Sequence, residues 1–196
     1  MKEKNVLQFY VLCNRLKNLI RSGWRDWNVK KERLESVAEH IYSTQMLAIA
    51  MYSEFNYDLD LAKVIKMLAI HELEETIIGD FTPFQLDAEK KQEIGHQAVL
   101  KALEPLSDGQ YWINLIMEFD ARKTKEAVFA YQCDKLECDL QAKLYDEENY
   151  VDLNDQKNNK TIEDENVSDL LAKGYSWSQM WIKNDLNKIS FDENFT

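Results

Sequence analysis

The chain has 196 residues, enough for one domain with a real core, and 45% of them are hydrophobic, which excludes a disordered chain. Only 5 Gly and 2 Pro argue against a turn-rich β-sandwich or barrel. A net charge of −11 argues against binding polymeric nucleic acid, which needs a basic face.

The charge is unevenly spread. Residues 1–35 carry +5, residues 36–145 carry −9, residues 146–165 carry −6 and the remainder −1. Three cysteines, Cys13, Cys133 and Cys138, form no disulfide framework and no zinc-knuckle spacing, so reduced thiols are expected. The start, Met1-Lys2-Glu3-Lys4, has no signal-peptide core, and no apolar run reaches the length of a membrane span. A soluble, cytoplasmic protein is expected.

The dominant period is helical. Val6, Phe9, Tyr10, Cys13, Leu16 and Ile20 predict one amphipathic face over residues 6–20. Residues 21–33, with Gly23, Trp24 and Trp27, predict a loop. Ser36 with Glu39 three residues later reads as a capping box, opening a helix that runs to about Phe55. A further helix is expected from about Leu59 to Ile78, stopped by Gly79 and Pro83. Helices are also expected over residues 87–103, over 109 to about 120, and from Lys125, capped by Thr124, to about Tyr145. Residues 146–160, rich in Asn and Asp, predict a solvated loop or a lid. A last helix is expected over residues 166–189, with Gly174 a possible interruption. Its aromatics Tyr175, Trp177 and Trp181, with Met180, read as core packing before they read as a dimer face. The reading is all-α: a single helical bundle of about seven or eight helices over residues 1–196, with a core at about 16–145.

One helix breaks the apolar pattern. Its stripe Leu61, Val64, Ile65 and Leu68 continues into His71, Glu72 and Glu75. Burying a histidine and two carboxylates is expensive unless they pair or bind a metal. His40 lies one turn into a capped helix, and Asp134 lies beside an apolar stripe between Ala130 and Cys138. Two imidazoles and two carboxylates from His40, His71, Glu72 and Asp134 suit a borderline divalent cation such as manganese, cobalt, iron or zinc. Such an ion polarises a phosphoryl or carbonyl oxygen and activates water. Glu75, one turn beyond Glu72, is placed to act on that water or on a leaving group. The plainer readings are a surface or satisfied His96, a solvated Glu74 and Glu75, Asp134 paired to Lys135, and Arg21 and Arg25 as surface charges.

Taken together, the strings resemble an HD-domain metal-dependent phosphohydrolase, and within that superfamily the 5′-deoxynucleotidase-like branch. The matching strings are Glu35-Ser36-Val37-Ala38-Glu39-His40, then His71-Glu72-Leu73-Glu74-Glu75 with Gly79-Asp80, then Asp134 running on to Leu140-Gln141-Ala142. The resemblance covers about residues 16–145. It implies His40, His71, Glu72 and Asp134 as metal ligands, Glu75 as the residue that assists the attacking water, and Asp80 near the nucleotide sugar. It implies an arginine and a tryptophan before the first His at the substrate phosphate; Arg21 with Trp24 and Arg25 with Trp27 both match. It implies a divalent metal cofactor, magnesium included, a nucleoside monophosphate or similar small phosphate ester as substrate, and a homodimer. One departure stands out: Glu72 occupies the family's aspartate position. It offers the same oxygens one methylene further out, and it keeps open a non-catalytic metal or nucleotide sensor on the same fold. A helical interaction protein with its tryptophans as partner contacts is the third reading.

Overall fold

The computed structural model describes residues 2–82, 85–157, 159–185 and 191–195. These residues fold into α-helices and short 3-10 turns, with one isolated antiparallel bridge between Ile20 and Ser36.

Helix α1 (Lys2–Cys13) runs into a 3-10 turn (Asn14–Lys17). The expected amphipathic face is only half realised. Phe9, Leu12 and Cys13 touch the core, while Val6, Leu7, Tyr10 and Val11 are each about 60% exposed. The helix lies on the rim of the bundle, with α6 as its main helical neighbour, so among the described residues one stripe is left uncovered. The expected loop after it contains a short helix, α2 (Ser22–Asp26). Backbone bonds from Arg21 N to the Glu35 carbonyl (3.1 Å) and from Val37 N to the Leu19 carbonyl (2.8 Å) fix this segment against the start of α3.

Helix α3 (Val37–Phe55) begins in the capping box: Glu39 N donates to Ser36 Oγ at 3.3 Å, and Ser36 N to Glu39 Oε2 at 2.9 Å. Such a cap is worth ~1 kcal/mol. Asp60 caps α4 (Leu61–Ile70), whose Val64, Met67 and Leu68 are buried. The long helix expected to Ile78 ends here. His71 Nδ1 bonds to the Leu68 carbonyl (2.9 Å), Leu73 N to the Ile70 carbonyl, and Thr76 Oγ1 to the Leu73 carbonyl. Side-chain bonds to carbonyls and tight three-residue turns replace the helical ladder. A single turn, α5 (Glu75–Ile78), follows, and Gly79 at φ 87° ends it. Pro83, the other expected stop, lies outside the described residues.

Asp87 caps α6 (Ala88–Leu103) through two backbone N–H groups. Helix α7 (Gly109–Ala121) leads to Thr124, which caps the long α8 (Lys125–Glu147). The α3, α4 and α8 helices pack on one another around Ala48, Leu68, Phe129 and Cys133. The C-terminal segment is two helices rather than one, α9 (Glu165–Ala172) and α10 (Trp177–Asp185), parted at Gly174 with φ 87°. Its expected end at Ile189 lies outside the described residues. Trp177 and Met180 are core residues beside Trp24 and Trp27.

The acidic stretch after α8 is tied to the first segment at several points. Lys30 pairs with Asp155 (2.9 Å), Lys31 with Glu148 (3.2 Å), and Gln156 Nε2 donates to the Trp27 carbonyl (3.0 Å). Part of the +5 of the first segment is therefore spent on the −6 of this one.

Candidate metal centre

Three elements converge at the α3–α4–α8 contact. His40 comes from the first turn of α3, His71 and Glu72 from the turn that ends α4, and Asp134 from the middle of α8. His40 is fully buried, and its Nε2 lies 3.0 Å from Asp134 Oδ1 and 3.8 Å from Glu72 Oε1. His71 Nε2 lies 3.7 Å from Asp134 Oδ1 and 3.8 Å from Glu72 Oε1. Ligands ~2.1 Å from a common ion stand ~3.0–3.4 Å apart, so these spacings are near those of a coordination shell.

Both imidazoles are oriented from behind. His40 Nδ1 lies 2.5 Å from Glu137 Oε2, and His71 Nδ1 lies 2.9 Å from the Leu68 carbonyl oxygen. Each acceptor places a proton on Nδ1 and turns Nε2 inward, as a carboxylate or carbonyl behind a metal-bound histidine does. His71 Nε2 is buried and has no hydrogen-bond partner. An orphaned basic nitrogen facing two carboxylates and a second imidazole fits a divalent cation.

The charges are strongly perturbed without an ion. Burial and Arg21 would lower His40, but its bonds to Asp134 and Glu137 outweigh both and hold it at about 9. Burial would raise Glu72, but His71, Arg21 and Lys91 bring it to about 2. Burial would also raise Asp134, yet Lys135, 2.9 Å away, and the two histidines hold it well below the usual carboxylate range.

Of the two arginines left open by the spacing, Arg21 reaches the cluster. Its Nη1 lies 3.0 Å from Glu72 Oε1, whereas Arg25 is exposed on α2 and makes no bond to the cluster. Neither tryptophan lies on an open wall. Trp24 is buried and donates from Nε1 to Glu35 Oε2 (2.9 Å); Trp27 packs on Trp177 and Trp181 at 5.8 Å. Glu75 is buried, with Oε1 held by Lys91 at 3.0 Å and Oε2 unpartnered. Burial, Glu72 and Asp80 push its carboxyl well up, against the opposing pull of Lys91 and Arg21. Asp80 Oδ2 accepts from Ser22 N at 2.5 Å, which ties the segment after α5 to the start of α2. His96 pairs with Asp120 at 2.6 Å away from the cluster, and Asp134 does pair with Lys135 as well as facing the histidines.

Sequence reasoning missed Glu137, Glu35 and Lys91. Glu137 was open to discovery: it is three residues beyond Asp134, so it shares that face of α8. Glu35 is buried and raised to about 7 by burial and by Glu137. Lys91 carries no local signal, since only the packing of α6 against α5 brings it in.

Helical architecture and a buried His/His/Glu/Asp cluster together define a class, and the comparisons agree. A family model described as "HD domain" matches residues 13–171, and the chain belongs to that family. It is 34% identical to the 5'-deoxynucleotidase HDDC2 of Dictyostelium discoideum over 152 residues, 74% of this chain and 79% of that protein. It is 30% identical to the 5'-deoxynucleotidase HDDC2 of Danio rerio, covering 73% and 70%. Among solved structures, a Pyrococcus horikoshii protein superposes with a TM-score of 0.63 at 23% identity, covering 93% of this chain and 97% of that one. A Magnetospirillum magnetotacticum structure, named as a predicted metal-dependent phosphohydrolase, gives 0.60 at 24% identity over 72% and 70%. At these identities the structures speak for the fold.

Proposed function

We propose that this protein is a metal-dependent phosphohydrolase acting on a deoxynucleoside 5′-monophosphate or a similar small phosphate monoester. The observation that carries the reading is the orphaned His71 Nε2, aimed at Asp134 and Glu72 beside His40. The names of the relatives supply the substrate class. His40, His71, Glu72 and Asp134 would hold the ion: manganese, cobalt, iron or zinc by donor type, with magnesium admissible. When bound, such an ion supplies Lewis acidity and lowers the pKa of water.

The chain's own groups supply the rest. Arg21, at the edge of the cluster, stabilises negative charge on the phosphoryl oxygens. With Lys91, Arg21 and a bound cation offsetting burial, Glu72 and Asp80, Glu75 is ionised, orients the attacking water and takes its proton. Asp80, fixed by Ser22 N, faces the sugar. Trp24 and Trp27 act from behind, by holding α2 against the aromatic core, rather than at the substrate's surface. The whole chain works as one unit, since α2 and the segment after α8 are tied together. Phosphate release from a panel of deoxynucleoside monophosphates with Mn²⁺ or Co²⁺ tests the proposal; no turnover from metal-replete protein overturns it.

A second reading, a nucleotide or metal sensor without turnover, is favoured by Glu72. Its Oε1 is the oxygen that faces both histidines and also the one that Arg21 holds. Tight nucleotide binding without product distinguishes it. We also place the protein in the cytoplasm, in keeping with its three free thiols, and as a homodimer, in keeping with the exposed stripe of α1. Among the described residues no helix is long and apolar enough to cross a membrane. Light scattering on the purified chain tests the dimer.

A further inference from the structure

The two oxygens of Glu75 are treated differently. Oε1 accepts from Lys91 Nζ at 3.0 Å, while Oε2 is buried and has no partner. The terminal torsion of a glutamate is soft, so a carboxylate held at neither oxygen turns freely. Held at Oε1, it presents Oε2 in one direction.

Lys91 comes from a different wall of the site, the first turn of α6, and its ammonium is fixed at a second point by the Phe81 carbonyl (3.4 Å). Gly95, one turn further along the same face of α6, leaves room for that approach. A Cβ at Gly95 would stand 3.2 Å from Glu74 Cγ, so the glycine lets α6 lie close against the turn that precedes Glu75. Asp87 sets the start of that helix by accepting from Glu89 N and Lys90 N.

We propose that Lys91 is a positioning residue for the hydrolysis, fixing Glu75 through Oε1 so that Oε2 is the oxygen that takes the proton of the attacking water. The inference rests on the proposed hydrolase reading. In that step the water oxygen forms a bond to phosphorus as the ester P–O bond breaks. The electron pair of the broken bond leaves on the ester oxygen, and the water proton passes to Oε2 and from there to the leaving oxygen. Nothing is oxidised or reduced.

The test compares Lys91→Met and Lys91→Arg with the wild-type full-length protein, each loaded with Mn²⁺, on the deoxynucleotide that the panel selects. K91M is expected to lower kcat by about 10- to 100-fold with KM changed less than about 3-fold, and K91R to restore most of kcat. A crystal structure of K91M is expected to show the Glu75 carboxylate turned from its wild-type orientation. An unchanged kcat overturns the proposal, and so does a KM-only loss, which would make Lys91 a phosphate clamp. If the wild type hydrolyses nothing, the hydrolase reading fails by itself. The crystal comparison still decides on Lys91, and an unmoved Glu75 there refutes it.

Discussion

Glu137 stands directly behind His40, its Oε2 2.5 Å from Nδ1, so that the imidazole is clamped between two carboxylates of α8 one turn apart. One carboxylate faces the cluster and the other faces away from it. Glu137→Gln keeps the shape and an acceptor but removes the charge. Its affinity for Mn²⁺ should fall about 10-fold, as for other partners behind metal-bound histidines. Titration calorimetry on wild type and variant measures it, with circular dichroism checking that the helices persist. Unchanged affinity would mean that Glu137 serves packing alone.

Arg21 and Arg25 separate cleanly. Arg21→Ala should reduce kcat/KM for a deoxynucleoside monophosphate by about 100-fold, a typical loss for a group that stabilises transition-state charge. Arg25→Ala should stay within about 3-fold, since its side chain lies in solvent. Steady-state kinetics on the two variants decides; the reverse order would move the phosphate site to the other end of α2.

Removing the carboxylate at position 72 should empty the centre. Glu72→Gln is expected to hold far less than one ion per chain after dialysis, measured by elemental analysis. Glu72→Asp keeps the oxygens and should retain the ion, while withdrawing its oxygen from Arg21. A Gln variant that stays fully loaded would exclude Glu72 as a ligand.

The metal-free protein should lose stability as pH rises from 6.5 to 9. His40, held at about 9 by Asp134 and Glu137 against burial, binds its proton more tightly folded than unfolded. Its contribution is complete below the unfolded value of about 6.5 and is gone once pH passes about 9. At ~1.4 kcal/mol per unit this is on the order of 3 kcal/mol. Glu35, raised to about 7 by burial, and Glu74, raised to about 8 by burial and by Glu72, act with the same sign from about pH 4.5 upward. Glu72, held at about 2, acts oppositely and only at the acid end, between about 4.5 and 2. Calorimetry of chelator-treated protein at pH 6 and pH 9 checks this: the melting temperature should be lower at pH 9.

Trp24→Phe should cost about 1–3 kcal/mol. It leaves the buried carboxylate of Glu35 without the indole N–H that it accepts at 2.9 Å. Denaturant unfolding measures the loss.

The helical fold and the four cluster residues were legible because both leave local marks. Ser36 and Glu39 announce a helix start within four residues, and Thr124 caps as its chemistry suggests, while Asp60 and Asp87, read as lying within their helices, are the caps that begin them. His71 and Glu72 stood out because they continue an apolar stripe. That stripe also misled: periodicity carries no mark of where a side chain takes over a backbone carbonyl, so the break after Ile70 was invisible. The exposure of Val6 and Tyr10 was hidden for a similar reason, since an apolar stripe does not say whether a neighbour covers it. Lys91 and Glu75 lie 16 residues apart on two helices, and only tertiary packing joins them.

His71 closes the last turn of α4 with one ring nitrogen and offers the other to the centre. The same imidazole is thus both the end of a helix and a candidate ligand. An ion on Nε2 polarises the ring and makes Nδ1–H a stronger donor to the Leu68 carbonyl, so metal content becomes legible in the backbone. The amides of Ile70 to Leu73 should exchange with deuterium more slowly in loaded protein than in stripped protein, reporting occupancy without any substrate turning over.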